Sequence, residues 1–127
     1  MVEVSPTNIS KDDEFIHKLR ELLEENLSNS EFNVTKLSYA FNMSTLHLYR
    51  KLKVLTGLSP VEFIMTYKLQ KACELLTNTD HSMKEIGYGL GFNNLSYFAK
   101  CFKNQFGVTP SVYRQKGIPN VMDEDKN

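Results

Sequence analysis

Apolar residues recur at Phe15, Ile16, Leu19, Leu22, Leu23 and Leu27. This three-and-four spacing lays one stripe along a helix. Ser10 offers an N-cap, with Asp13 three residues on. Acidic residues cover the opposite face, so this helix supports the body or connects to an upstream domain, and it would repel phosphate. Ser28-Asn29-Ser30 closes it. Val34, Leu37, Ala40 and Phe41 predict a short helix over residues 35–41, and Asn42-Met43 makes a turn. Ser44 caps a second helix that runs to Thr56 and is stopped by Gly57. Ser59-Pro60-Val61-Glu62 combines an N-cap, a first-turn proline and a capping-box glutamate. The helix it starts runs to Thr77, with Val61, Ile64, Met65, Leu69, Ala72, Cys73 and Leu76 on one face. After the loop Asn78-Thr79-Asp80, Ser82 caps a short helix carrying Ile86 and Leu90. Gly87 and Gly89 stand on it where side chains would crowd a neighbour. Gly91-Phe92 turns the chain, Asn93 or Asn94 caps a helix ending at Gly107, and Thr109-Pro110 starts a last short helix through Gln115. No segment alternates with the period of a strand, so the fold class is all-α.

The pattern is written twice. Leu37 and Ile86 are 49 residues apart, as are Ala40 and Gly89. After the turns the offset is 50, pairing Leu48 with Phe98, Arg50 with Lys100, Leu52 with Phe102, Lys53 with Lys103, Gly57 with Gly107 and Pro60 with Pro110. The second turn therefore holds one extra residue. Short helix, turn, longer helix is helix-turn-helix punctuation, and two copies joined by a rigid helix make one double unit. At 100° per residue, Leu48, Leu52 and Leu55 point inward while Leu46, Tyr49, Arg50 and Lys53 point outward. In the second copy Phe98, Cys101 and Phe102 face inward, and Ser96, Ala99, Lys100 and Lys103 face out. A face mixing Arg and Lys with hydroxyl, small and aromatic groups suits a DNA major groove: Arg pairs with guanine edges, apolar groups meet thymine methyls and Lys neutralises phosphate. Readers of one face of B-DNA sit about 34 Å apart. A connecting helix of this length, at about 1.5 Å per residue, together with packing at its ends, can hold that separation.

Composition sharpens this. The 127 residues carry 15 Lys and Arg against 15 Asp and Glu, but unevenly. Residues 1–33 hold three basic and eight acidic side chains, residues 34–116 eleven and four, residues 117–127 one and three. A basic body between acidic ends fits a polyanionic partner. No apolar run approaches the roughly 20 residues of a membrane span, and no basic segment with an apolar core marks a secretory signal. Cys73 and Cys101 are expected as buried free thiols in a reducing compartment. His17, His47 and His81 have no ligand spacing, so no metal site or cofactor is expected. There is no phosphate-cradling glycine loop, nucleophile-base arrangement or carboxylate pair for an enzyme; Asp12-Asp13-Glu14 satisfies a helix dipole. The alternative is a helical protein-interaction module with an incidental basic face. Steep salt dependence of duplex binding would separate the two.

Ile86-Gly87-Tyr88-Gly89-Leu90-Gly91-Phe92, Ser96-Tyr97-Phe98, Phe102-Lys103, Phe106-Gly107-Val108-Thr109-Pro110 and Tyr113-Arg114 carry a further signal. With Met43-Ser44, His47 to Lys53 and Leu55 to Pro60, they closely resemble the AraC/XylS-type DNA-binding domain. The resemblance covers residues 34–116. It implies two homeodomain-like helix-turn-helix subdomains joined by a central linker helix, with the leading amphipathic helix added. The expected divisions are a disordered linker at 1–9, a DNA-binding domain at 10–116 (first unit 10–57, linker helix 59–78, second unit 82–116) and a disordered tail at 117–127. Gly89 departs from the family, where alanine or larger is usual. Ser96 and Ala99 give the second reader little to read with. The HLYRKLK and SPVEFI segments and the acidic leading helix resemble the C-terminal output domain of hybrid two-component regulators. That resemblance implies double-stranded DNA as partner, an upstream receiver or sensor domain, possible contact with RNA polymerase, no membrane contact by this segment and a cytoplasmic location. The expected DNA-binding residues are Ser44, Thr45, Leu46, Tyr49, Arg50, Lys53, Asn94, Leu95, Ser96, Lys100 and Lys103. Arg50 is expected to carry most base discrimination, and Lys100 and Lys103 to hold the backbone.

Overall fold

The computed structural model describes residues 10–117, so the expectations for 1–9 and 118–127 lie outside it. Among the described residues the regular structure is helical: α1 Lys11–Glu25, α2 Val34–Ala40, α3 Thr45–Thr56, α4 Pro60–Asn78, α5 Met83–Gly89, α6 Leu95–Phe106 and α7 Pro110–Lys116. The starts follow from caps. The hydroxyls of Ser10, Ser44 and Thr109 and the Oδ1 atoms of Asn33 and Asn94 each accept a backbone N–H three residues on. Ser59 with Glu62, and Ser82 with Glu85, form complete capping boxes. The two longer outward helices end alike, at Gly57 (φ 80°) and Gly107 (φ 84°), in the left-handed region that a side chain resists.

The turns also match in detail. Met43 N–H donates to Ser38 O at 2.9 Å, and Phe92 N–H donates to Gly87 O at 3.0 Å. Asn42 (φ 57°) and Gly91 (φ 86°) occupy the same left-handed step. The extra residue of the second copy is therefore Asn93, placed between the turn and the cap Asn94.

Two hydrophobic clusters hold the fold. One gathers Phe15, Leu19 and Leu23 of α1 with Leu37, Leu48, Leu52 and Phe63. The other gathers Leu69, Ala72 and Leu76 with Ile86, Leu90, Phe92, Phe98 and Phe102. α4 serves both, and this corrects the single-face reading of that helix. Phe63 is buried in the first cluster, whereas Val61 is 64% exposed. A helix flanked by two cores has no single apolar stripe. Leu27 lies beyond the end of α1 and packs on the second cluster, so the α1–α2 loop bridges the units. The acidic side of α1 is tied to α4: the Tyr67 hydroxyl donates to Glu24, and Lys71 Nζ lies 3.2 Å from Glu24. Arg114, from α7, donates Nε to Leu76 O and Nη2 to Thr79 O, both at 3.1 Å, satisfying carbonyls at the end of α4.

Two further expectations change. A β-carbon at Gly87 would lie 2.7 Å from Leu95 Cδ2, so Gly87 is crowded as expected, but one at Gly89 would meet nothing within 4 Å. Gly89 sits in the last turn of α5, past the contact with α6. Cys73 and Cys101 are free but only half-buried, because each lies at the rim of the second cluster.

Candidate nucleic-acid interface

α3 and α6 each bury two side chains fully, Leu48 and Leu52 in one and Phe98 and Phe102 in the other, pack Leu55, Cys101 and Phe106 at the core edges, and turn one face outward. On α3, Leu46 and Tyr49 are 55% and 44% exposed. Thr45, Arg50 and Lys53 are exposed beside them. A groove on one side of this face is lined by Thr45, Leu46, Tyr49 and the start of α4. On the other side a groove runs between α3 and the first turn of α1, lined by Asp12, His47, Arg50 and Lys51. Among the described residues no carboxylate lies within ion-pair distance of Arg50, which leaves its five donors available. Lys53 Nζ lies 3.9 Å from Glu62, the carboxylate that accepts the Ser59 N–H in the α4 cap. The Ser59 N–H, with Lys53 adding to it, holds the Glu62 carboxyl below its usual value.

The second face differs. Ser96, Lys100 and Lys103 are exposed on α6. The residue matching Glu62 in the repeat is Val112, and among the described residues Lys103 has no acidic partner. The two copies thus present unlike cations: one lysine engaged by a carboxylate, one unengaged.

Three of the eleven expected residues are placed differently from the rest. Ser44 and Asn94 are exposed, but their side-chain oxygens are occupied as caps by His47 N–H and Tyr97 N–H at 3.0 and 2.9 Å. Leu95 is half-buried against Gly87, so α6 spends it on docking to α5. The other eight residues lie on two outward faces. Sequence reasoning passed over Val61 and Tyr97, which stand exposed between those faces. The signal for Tyr97 was present in the offset that pairs it with His47, at the third position of each helix. Val61 was hidden by the assumption of one apolar stripe on α4.

Among the described residues no three His, Cys, Asp or Glu side chains come together as metal ligands. No described helix is long and apolar enough to cross a membrane.

Residues 37–116 match a protein family described as a helix-turn-helix domain. Over 116 residues the chain is 33% identical to histidine kinase P4 of Formosa agariphila, covering 89% of this chain and 8% of that protein. Its fold is similar to that of the C-terminal domain of AraT, a response regulator from Geobacillus stearothermophilus. The TM-score is 0.76 at 26% identity, over 88% of this chain and 93% of that one. The DNA-binding domain of AdpA, a global transcriptional factor solved in complex with a target DNA, is similar with a TM-score of 0.72 at 27% identity, over 79% of this chain and 89% of that one. Other curated relatives are named HTH-type transcriptional regulators or activators, and the chain spans between 8% and 38% of the length of the curated relatives it matches.

Proposed function

We propose that this chain, which belongs to the AraC-type helix-turn-helix family, is the DNA-binding output segment of a transcription regulator and places α3 and α6 in successive major grooves on one face of a duplex. The observation that carries the reading is the pair of matched units held by one helix. α4 is 19 residues long, which at about 1.5 Å per residue is roughly 28 Å. With the packing width at its ends, it sets two outward helices near the repeat of B-DNA. A helix-turn-helix protein that dimerises reads a palindrome. One chain with two unlike readers reads an asymmetric site.

Arg50, with Leu46, Tyr49 and Thr45 around it, carries base discrimination in this reading. Lys53, Lys100 and Lys103 hold phosphates, with Ser96 beside them. Ser44 and Asn94 act through the backbone N–H groups at the helix starts that they order. Leu95 acts by seating α6. The likeness to a response-regulator C-terminal domain supports a receiver or sensor domain upstream and a place in two-component signalling. The reading places the segment in the cytoplasm, with RNA polymerase as a second partner. Histidine kinase P4 is a protein of which the matched segment is 8%; the reading gives this segment the DNA-binding role and no catalytic one.

Selection of bound duplexes from a random pool tests it. The expected result is an asymmetric motif with two blocks about one helical turn apart, bound with a steep inverse dependence on salt. A single block, or binding indifferent to salt, would overturn it.

A further inference from the structure

We infer that Leu46, Tyr49, Val61 and Tyr97 form an apolar ridge whose crest, Val61 and Tyr97, rests on the deoxyribose walls of the minor groove lying between the two major grooves, while Leu46 and Tyr49 at its α3 end lead into the first major groove. This rests on the two-groove reading above and adds a third contact to it.

The four side chains are 55%, 44%, 64% and 53% exposed, and none is a member of either core, although the Tyr97 ring stands 6.2 Å from that of Phe92 at the edge of the second. Val61 links them. It borders one groove together with Leu46 and Tyr49, and two others together with Tyr97, these two having volumes of about 370 and 610 Å³. The ridge therefore runs from the α3 face, across the first turn of α4, to the start of α6. Val61 follows directly on the proline of a capped helix start, a site where any small polar residue would serve the fold equally well.

The occupant follows from continuity. Both ends of the ridge are residues or neighbours of the outward faces of α3 and α6. A duplex seated on those two faces must cross the ridge, and what it presents there is the narrow groove separating two major grooves. Minor-groove walls are sugar C–H surface, which an apolar side chain covers without stranding a donor or acceptor. The charge around the ridge tolerates phosphate. Among the residues lining the three grooves the one carboxylate is Glu62, already engaged by Ser59 N–H and Lys53, and Lys68, whose Nζ lies 5.8 Å from the Phe92 ring centre, adds a positive charge. The remaining polar lining, such as Thr45, Ser59, Asn94 and Asn104, is uncharged. A groove built for a basic protein segment would carry acids here.

The test uses the 127-residue chain and a duplex of about 25 base pairs selected from a random pool, long enough for two turns. Hydroxyl-radical cleavage reads access to each deoxyribose, and dimethyl sulfate reads guanine in the major groove. In the wild-type complex the sugars between the two major-groove footprints are expected to be protected on both strands. The double variant Val61→Ser, Tyr97→Ser is expected to lose that central protection and bind roughly three- to tenfold more weakly, while both major-groove footprints remain. Both positions are exposed, and an unchanged far-UV spectrum verifies the fold. Val61→Asp, which sets a carboxylate against the backbone, is expected to lose more affinity than Val61→Ser. Central sugars cleaved as in free DNA in the wild-type complex would overturn the ridge contact, as would central protection that survives the double variant. Absence of one major-groove footprint in the wild-type complex would instead overturn the two-groove reading.

Discussion

Gly87 and Gly89 stand two residues apart on α5, and alanine should act on them with opposite signs. In both, alanine restores helix propensity, worth about 0.5–1 kcal/mol in a helix interior and less in a last turn. At Gly89 nothing lies within 4 Å of the new β-carbon and φ is ordinary, so this gain stands almost alone. Gly89→Ala is expected to stabilise the fold by up to about 0.5 kcal/mol. At Gly87 the new carbon falls 2.7 Å from Leu95 Cδ2 and 3.2 Å from a ring carbon of Phe98. Leu95 can rotate part of the way. Phe98 is 1% exposed, wedged between Phe92 at 5.0 Å and Phe102 at 6.2 Å between ring centres, and has nowhere to go. Overpacking of this kind costs about 1–3 kcal/mol, which exceeds the propensity gain. Gly87→Ala is therefore expected to lose roughly 1–2 kcal/mol. It should also shift Leu95 and with it the start of α6, weakening DNA binding at protein concentrations where the fold is intact. Urea midpoints at constant slope measure both. Equal signs for the two variants, or a destabilising Gly89→Ala, would refute the packing account of α5.

Arg50→Ala should cost about 1–3 kcal/mol of binding and relax preference at one base position; unchanged affinity and preference in a selection experiment would mean the reading face is misassigned. Lys103→Ala should weaken all duplexes alike and make the slope of log affinity against log salt shallower by about 0.9. Lys53→Ala should change it less, because Glu62 already engages that ammonium; equal slopes for the two would sink the asymmetry. Glu62→Gln keeps an oxygen for the Ser59 N–H and frees Lys53, so it should tighten binding to every sequence in wild type and do nothing in a Lys53→Ala background. The Tyr67 hydroxyl, with Lys71 adding to it, holds the Glu24 carboxyl below its ordinary 4.5. That stabilisation is complete above pH 4.5 and is lost as pH falls through the folded-state value, so Glu24→Gln should be less stable than wild type at pH 7 and indistinguishable from it in strong acid.

The legible parts of this fold were those decided within one turn of chain. Each helix start has its oxygen acceptor at a fixed offset, and Ser59-Pro60-Val61-Glu62 folded as written. Gly57 and Gly107 stop their helices for a reason carried by the residue itself. The repeat was legible because two copies of one unit must satisfy the same inside. What could not be read was how a helix divides its surface between two neighbours. A periodicity count puts Val61 on the stripe of α4 and Phe63 on the opposite side, and only the placement of α1 and α2 on one side of α4, with α5 to α7 on the other, sends Phe63 inward and leaves Val61 bare. Leu95 is the opposite case. At 100° per residue it falls on the same arc as Phe98 and Phe102, so the spacing already turned it inward, where it packs into the space that Gly87, on another helix, leaves open.

A duplicated sequence also gives two unlike outward faces. Both copies keep an outward lysine at the same step, and both start the following helix with proline. One carries glutamate two residues after that proline and the other carries valine. Glu62 completes a capping box and reaches Lys53, while the second copy caps with Thr109 alone and, among the described residues, gives Lys103 no carboxylate. A lysine shared with a carboxylate gives up less on meeting a phosphate. On the proposed two-groove reading, the first copy would then lean on Arg50 and its neighbours for affinity, where base sequence matters, and the second on charge, where it does not. On that reading the segment with the clearest helix-turn-helix punctuation, from Ser82 to Lys116, is the anchor, and base selection falls to the plainer copy.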